Sequence, residues 1–319
     1  MNRPIVILDT ISDPTEPHDN FSMALEGAQL KMVRQGRSPD SHPHGLQCAY
    51  CILSQLSPTQ RKLQPIYFMK ILDDDYDFVT DTWWMNDIAR LKPAFINFSV
   101  GAHHKNQSYL DRLLKRRYTQ ETNFVEKFLK LLEATDSQLF AAAGNDDSST
   151  RRYVDRDNDV AYPQKLMAHS KRVHIIGACD IIGRPSTFSS DGLEVEAMYW
   201  GQKVPVINPF TGVTEYISGT SFATPFALGD AVRRNLYAPG SVNNYIYEKA
   251  IRTGNWPKDQ RHPKAGYGGM MPSLRGNFRY SKLNLMKQWE ELNRLEVPIA
   301  EAWHDLSKIT AGDSTILNP

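Results

Sequence analysis

Four side chains along this 319-residue chain have the chemistry of acyl transfer: Asp9, His44, Asn145 and Ser221. Ser221 lies in Gly219-Thr220-Ser221-Phe222-Ala223-Thr224-Pro225, where a glycine-containing turn meets an apolar segment, Phe222 to Val232, predicted to be helical. A hydroxyl there sits on the first helical turn beside free backbone N–H groups. The positive end of the helix dipole favours an anion forming next to it. Pro225 is expected within that first turn, where its missing N–H costs nothing. A histidine can act as general base, a carboxylate can orient an imidazole, and an amide can bind an oxyanion. Taken singly, each has a plainer reading: a capping serine, a turn aspartate, a histidine at a helix start, a Gly-Asn turn. Their order, aspartate then histidine then serine, counts only together with the segments in which they lie.

The elements that must hold them are legible around each one. Pro4 to Leu8 is a short β-branched run, apolar on both faces, that suits a buried parallel strand ending at Asp9. A carboxylate at the C-terminal end of such a strand points into the crevice where α/β proteins bind ligands. A helix is expected over Phe21 to Arg34, and another from His44-Gly45 through Leu53. Strands are expected over Pro65–Leu72, Ala94–Gly101, Leu139–Gly144 and Val173–Ala178. Helices are expected over Val79–Leu91, Asn123–Ala134 and Val242–Thr253, the second with Phe124, Phe128, Leu131 and Leu132 on one face.

The motifs resemble those of the subtilisin-like serine proteases, the subtilases. Ile5-Val6-Ile7-Leu8-Asp9-Thr10 is similar to the strand ending in that family's catalytic aspartate. His44-Gly45 with Ala49 resembles its histidine motif, Ala141-Ala142-Ala143-Gly144-Asn145 its oxyanion motif, and the Ser221 segment its nucleophile motif. Ile96-Asn97-Phe98-Ser99-Val100-Gly101 matches the strand bordering the substrate, and Thr187-Phe188-Ser189-Ser190-Asp191-Gly192 resembles the family's Phe-Ser-x-x-Gly turn. The likeness runs from about Ile5 to about Leu285. Departures fall beside the motifs: Ile11 where glycine is usual, Leu46 and Gln47 after the histidine, and Phe222 where methionine is commoner.

The resemblance implies a three-layer α/β fold, with a mainly parallel central sheet covered by helices on both faces. It implies a catalytic domain over residues 1–287 and a C-terminal helix and tail over 288–319. It implies a serine endopeptidase in which Ser221 attacks, His44 is the base, Asp9 orients it, and Asn145 with the Ser221 N–H holds the oxyanion. Substrate would be bound by Ser99, Val100 and Gly101, by Gly219, by the rim residues Asp73, Asp74 and Asp75, and by Asp146. The acidic rims would favour basic residues near the cut. A branch of the family carries a free cysteine one turn beyond the histidine, so Cys48 is expected to be a buried thiol there.

A rival arrangement uses His42, His44, Cys48 and Cys51 as zinc ligands, since His44, Cys48 and Cys51 share a helical face. The chain offers no second ligand pair, and two small core cysteines beneath a catalytic histidine is the preferred reading. No cofactor is required. The acidic run at Asp73–Asp77 could hold calcium, but it lacks a recognisable loop template.

A hydrophobic content of 41% with 23% charged residues is an ordinary globular balance. A formal net charge of +1 gives no field to draw nucleic acid or a membrane surface. There is no apolar run of membrane-spanning length, no signal-peptide pattern, and an odd three cysteines. A cytoplasmic protein is expected. Only residues 1–8 precede Asp9, so no folded propeptide is expected before the aspartate strand. Such a protease would act on polypeptides and be held in check by narrow specificity or by an activating or restraining protein partner. A catalytically latent binding module on the same fold is the alternative.

Overall fold

A computed structural model of the chain describes residues 3–10, 17–33, 42–71, 83–100, 124–145, 164–181, 186–190 and 194–252. The β-branched and aromatic runs become strands: β1 Ile5–Asp9, β2 Gln29–Met32, β3 Pro65–Lys70, β4 Phe95–Phe98, β5 Gln138–Ala142, β6 Val173–Cys179 and β7 Ala197–Trp200. They form one seven-stranded sheet in the order β2-β3-β1-β4-β5-β6-β7. Every neighbouring pair in it is parallel. Parallel strands need crossovers, and helices supply them: α1 Asp19–Ala24, α2 His44–Ser54, α3 Pro58–Leu63, α4 Trp83–Leu91, α5 (described over 124–135), α6 Gln164–Met167, α7 Thr220–Arg233 and α8 Ser241–Arg252.

The strand period of two divides the core into two layers. Ile5 and Ile7 of β1, Phe95 of β4, Phe140 of β5 and Ile176 of β6 join α2, α7 and α8 on one face. Val6 and Leu8, Ile96 and Phe98, Leu139 and Ala141, and Val173 and Ile175 join α4, α5 and α6 on the other. This is the three-layer α/β architecture expected from the motifs. Because β1 lies between β3 and β4, the winding direction reverses beside it, and the crevice at such a reversal is where these sheets bind ligands.

Two expectations are corrected. The helix expected over Phe21–Arg34 is only α1; Gly27 turns the chain at φ 80°, and Gln29–Met32 then pairs with β3 as an edge strand. Its alternation of exposed and half-buried residues is a strand pattern, which the apolar residues of the segment had obscured. Pro225 is not in the first turn of its helix. The helix α7 begins at Thr220 with Gly219 as N-cap, so Pro225 lies inside it. The remaining predicted strands and helices within the described residues appear with shifted ends. The C-terminal helix and tail over 288–319 and the division at residue 287 lie outside the described residues.

Candidate active site

The site is assembled at the carboxyl ends of β1, β4 and β5 and the amino end of α7. Asp9 ends β1 and is fully buried. His44 is the first residue of α2, with its backbone N–H directed at His42 Nδ1 across 3.4 Å. Helix α2 can bring its first turn against the β1 end because residue 45 is glycine. A Cβ there would lie 2.5 Å from the Thr10 carbonyl oxygen. The contact that results is bifurcated: His44 Nδ1 lies 2.8 Å from Asp9 Oδ1 and 2.9 Å from Oδ2. Two carboxylate oxygens facing Nδ1 require a proton on that nitrogen, so in the neutral imidazole it is Nε2 that keeps the lone pair. Asp9 Oδ1 is further held by the Thr10 N–H at 2.7 Å and the Thr10 hydroxyl at 3.1 Å. Burial works against a charged His44. The charge of Asp9 and the hydrogen bond that His44 donates to it outweigh burial and hold the imidazole well above its ordinary 6.5.

Ser221 is the second residue of α7 and is 8% exposed. The other first-turn amides are engaged: Thr220 N–H with Asn145 Oδ1 at 2.8 Å, and Phe222 and Ala223 N–H with the Gly219 carbonyl at 3.1 and 3.3 Å. Among the described residues the Ser221 N–H has no acceptor, so it stands as an open donor at the positive end of the helix. The Phe222 ring lies against His44 with centroids 5.2 Å apart, bringing the start of α7 onto the imidazole. Among the described residues no hydrogen bond joins Ser221 Oγ to His44 Nε2.

Asn145 follows β5 and is oriented by its own oxygen. That oxygen accepts from both the Thr220 N–H and the Thr220 hydroxyl, so the amide nitrogen must face the other way. A Cβ placed on Gly219 would be 3.0 Å from Ser221 Oγ and 3.4 Å from Asn145 Nδ2, which locates both groups on one side of that backbone. The Phe-Ser turn braces this corner. Ser189 forms an isolated bridge to Asn145, and the Ser190 N–H reaches the Gly144 carbonyl at 2.9 Å.

The structure thus brings Asp9, His44, Asn145, Gly219 and Ser221 together. Ser99 and Val100 follow β4; Ser99 is buried and paired with Asn97, and the Val100 carbonyl accepts from Gln164 at 2.7 Å. Asp73, Asp74, Asp75, Gly101 and Asp146 lie outside the described residues. Cys48 is the buried free thiol expected, 3.9 Å from His44 Nδ1 and from Asp9 Oδ2. Burial pushes it up to about 11. The four-ligand arrangement of His42, His44, Cys48 and Cys51 is not assembled. Among the described residues the metal-capable cluster is Asp9, His44 and Cys48. Sequence reading missed Thr10 behind Asp9 and Thr220 behind Asn145. Each adjoins a motif residue it supports, which was the only signal available.

A parallel seven-stranded α/β sheet between helices on both faces is consistent with the subtilisin-like class. The model of the Subtilase family matches residues 7–247, most of the chain, and the chain belongs to that family. It is a serine peptidase. Among solved structures it is similar to a lanthipeptide protease, at 17% identity and a TM-score of 0.57, over 89% of this chain and 87% of that one. It is similar to the S218A mutant of the protease domain of PatA, at 20% identity and a TM-score of 0.54, over 90% and 96%. It is similar to the prenylagaramide maturation protease PagA, at 21% identity and a TM-score of 0.52, over 83% and 90%. At these identities the likeness concerns the fold. No match was found among curated protein sequences. No helix among the described residues is long and apolar enough to cross a membrane.

Proposed function

We propose that the chain is a serine endopeptidase that cuts a polypeptide by acyl transfer through Ser221. His44 Nε2 takes the hydroxyl proton as Ser221 Oγ attacks the carbonyl, then returns it to the leaving amine. Asp9 holds the Nδ1–H tautomer and stabilises the imidazolium formed between these steps. The Ser221 N–H and Asn145 Nδ2 bind the oxyanion. Water then repeats the sequence on the acyl-enzyme. No cofactor is needed, since every proton and charge is handled by these groups. The observation that carries the reading is the bifurcated contact of His44 Nδ1 with buried Asp9, because it fixes Nε2 as the basic nitrogen.

Three solved neighbours are named as a maturation protease, a lanthipeptide protease and a protease domain. That supports a processing role on a precursor polypeptide, with activity restrained by narrow specificity or by a protein partner. The absent bond between Ser221 Oγ and His44 favours, as a second reading, a latent form that a partner must activate, although such bonds commonly tighten only with substrate bound. A fluorophosphonate probe tests both. Labelling of the wild type that vanishes in Ser221→Ala supports the protease. No labelling until a partner or substrate is added supports the latent form, and none under any condition removes Ser221 as nucleophile.

A further inference from the structure

Pro225 stands inside α7, four residues after Ser221. A helix bonds each N–H to the carbonyl four residues back, and proline has no N–H to give. The carbonyl of Ser221 therefore lacks its ordinary helical donor. The contact this oxygen makes is buried. What lies there is the Cys48 thiol, with Sγ 3.5 Å from the Ser221 oxygen and placed to donate. A thiol has one proton. The competing acceptors, Asp9 Oδ2 and His44 Nδ1, are both 3.9 Å away. Asp9 is already served by His44 and by the Thr10 N–H, and His44 Nδ1 carries its own proton. The nearest acceptor in need is the Ser221 carbonyl.

We propose that Cys48 is a positioning residue for the nucleophile: its thiol replaces the helical N–H that Pro225 removes and holds the Ser221 carbonyl against the helix that carries His44. This rests on the reading of Ser221 as nucleophile and His44 as base. Fixing that carbonyl fixes the Ser221 backbone, and with it the direction of the Cα–Cβ bond that carries Oγ. The same side chain sits one turn beyond His44 on α2, so one thiol couples the positions of base and nucleophile. Burial, which pushes the thiol up to about 11, keeps the donor proton in place across the working range of a serine peptidase. The plain alternative is a small apolar filler, which would need only the volume of the sulfur.

The test uses the full chain and the rate of fluorophosphonate labelling at saturating and half-saturating probe. Ser221→Ala is the control for the site of labelling. Cys48→Ala is expected to lower the limiting rate about tenfold, the equivalent of ~1.4 kcal/mol, with the half-saturating concentration unchanged within about twofold. Cys48→Ser keeps a donor and is expected to recover most of that loss. Pro225→Ala restores an N–H to the Ser221 carbonyl, so in that background Cys48→Ala should cost at most about twofold. A filler predicts the reverse pattern: no rescue by serine and the same loss in both backgrounds, and either result overturns the proposal. If Pro225→Ala does not fold, the S–H stretching band that disappears in Cys48→Ala decides. A band at the lowered frequency of a donating thiol supports the proposal, and one at the free-thiol position overturns it. A wild type that is never labelled overturns the functional reading and the proposal with it. A labelled wild type with an indifferent Cys48 overturns the proposal alone.

Discussion

Among the described residues two histidine–carboxylate pairs have nearly equal lengths, and the proposed mechanism uses only one of them. His44 Nδ1 meets Asp9 at 2.8 Å, and His174 Nδ1 meets Glu196 at 2.7 Å. They lie at opposite ends of the sheet. Asp9 ends β1, whereas His174 is near the start of β6 and Glu196 directly precedes β7. In the second pair the other ring nitrogen is also occupied, by Gln138 Oε1 at 3.1 Å. That oxygen is identified because Gln138 Nε2 reaches the Leu236 carbonyl at 3.0 Å. His174 is fully buried and its ring packs on Phe140. His44 is 17% exposed at the side chain, and among the described residues its Nε2 has no hydrogen-bond partner. A carboxylate orients an imidazole in both places. What separates them is a free nitrogen at the edge of the sheet where an open N–H and a hydroxyl converge.

The largest expected effect breaks the first pair. Asp9→Asn keeps the shape but turns an amide towards Nδ1, so the tautomer with basic Nε2 is no longer enforced. By analogy with the same change in other triads, turnover should fall on the order of 10⁴-fold with folding retained. Turnover of a labelled peptide together with a thermal melt would check this. A loss under about tenfold would remove Asp9 from the mechanism.

Asn145→Ala should cost on the order of 100- to 1,000-fold in turnover with little change in KM, because in the proposed mechanism the lost donor serves the transition state. It also frees the Thr220 N–H at the start of α7, so the melting temperature should fall with it. If KM rises while turnover holds, the side chain binds ground-state substrate instead.

The pH dependence sharpens the comparison. His44 is held well above 6.5, and in the proposed mechanism only its neutral form takes the serine proton. The acid limb of kcat/KM should therefore rise about tenfold per pH unit and level off above 6.5. The stability linked to this group runs the other way. Its folded value exceeds its unfolded one, so the stabilisation is full below about 6.5 and is lost as pH rises through the raised value. A pH series of kcat/KM and of denaturant midpoints would show opposite slopes in that window. An acid limb at or below 6.5 would mean that Asp9 does not hold the imidazole as described.

The site was more legible than some of its supports. Asp9, His44, Asn145 and Ser221 each sit in a short segment whose residues set local geometry, such as the glycine that lets α2 meet β1. The true start of α7 was not legible, because its first N–H is bonded to Asn145, which is 75 residues away in the chain. Pro225 was misplaced for that reason, and the role of Cys48 beside it was hidden. The edge strand Gln29–Met32 was read as helix because its strand character depends on pairing with β3. The His174 pair is not legible in the sequence, since Gln138, His174, Glu196 and Asn243 share no sequence neighbourhood.

The smallest effect on activity should come from that second pair, and it is the strictest control on the first. Glu196 accepts from His174 at one oxygen and from the Asn243 amide at the other, joining β6, the approach to β7, and α8. Glu196→Gln keeps the volume but gives His174 Nδ1 a choice between an amide oxygen and an amide N–H, and one buried group loses a partner. A cost of about 1–3 kcal/mol in unfolding free energy is expected from such a mismatch. Turnover and KM at a temperature well below the melt should stay within about twofold, because nothing in this cluster reaches the sheet edge where Ser221 lies. If Glu196→Gln instead cuts turnover as deeply as Asp9→Asn, the two pairs cannot be told apart by a free ring nitrogen. The far end of the sheet would then have to be energetically coupled to the nucleophile helix, through α7 packed across β4 to β7.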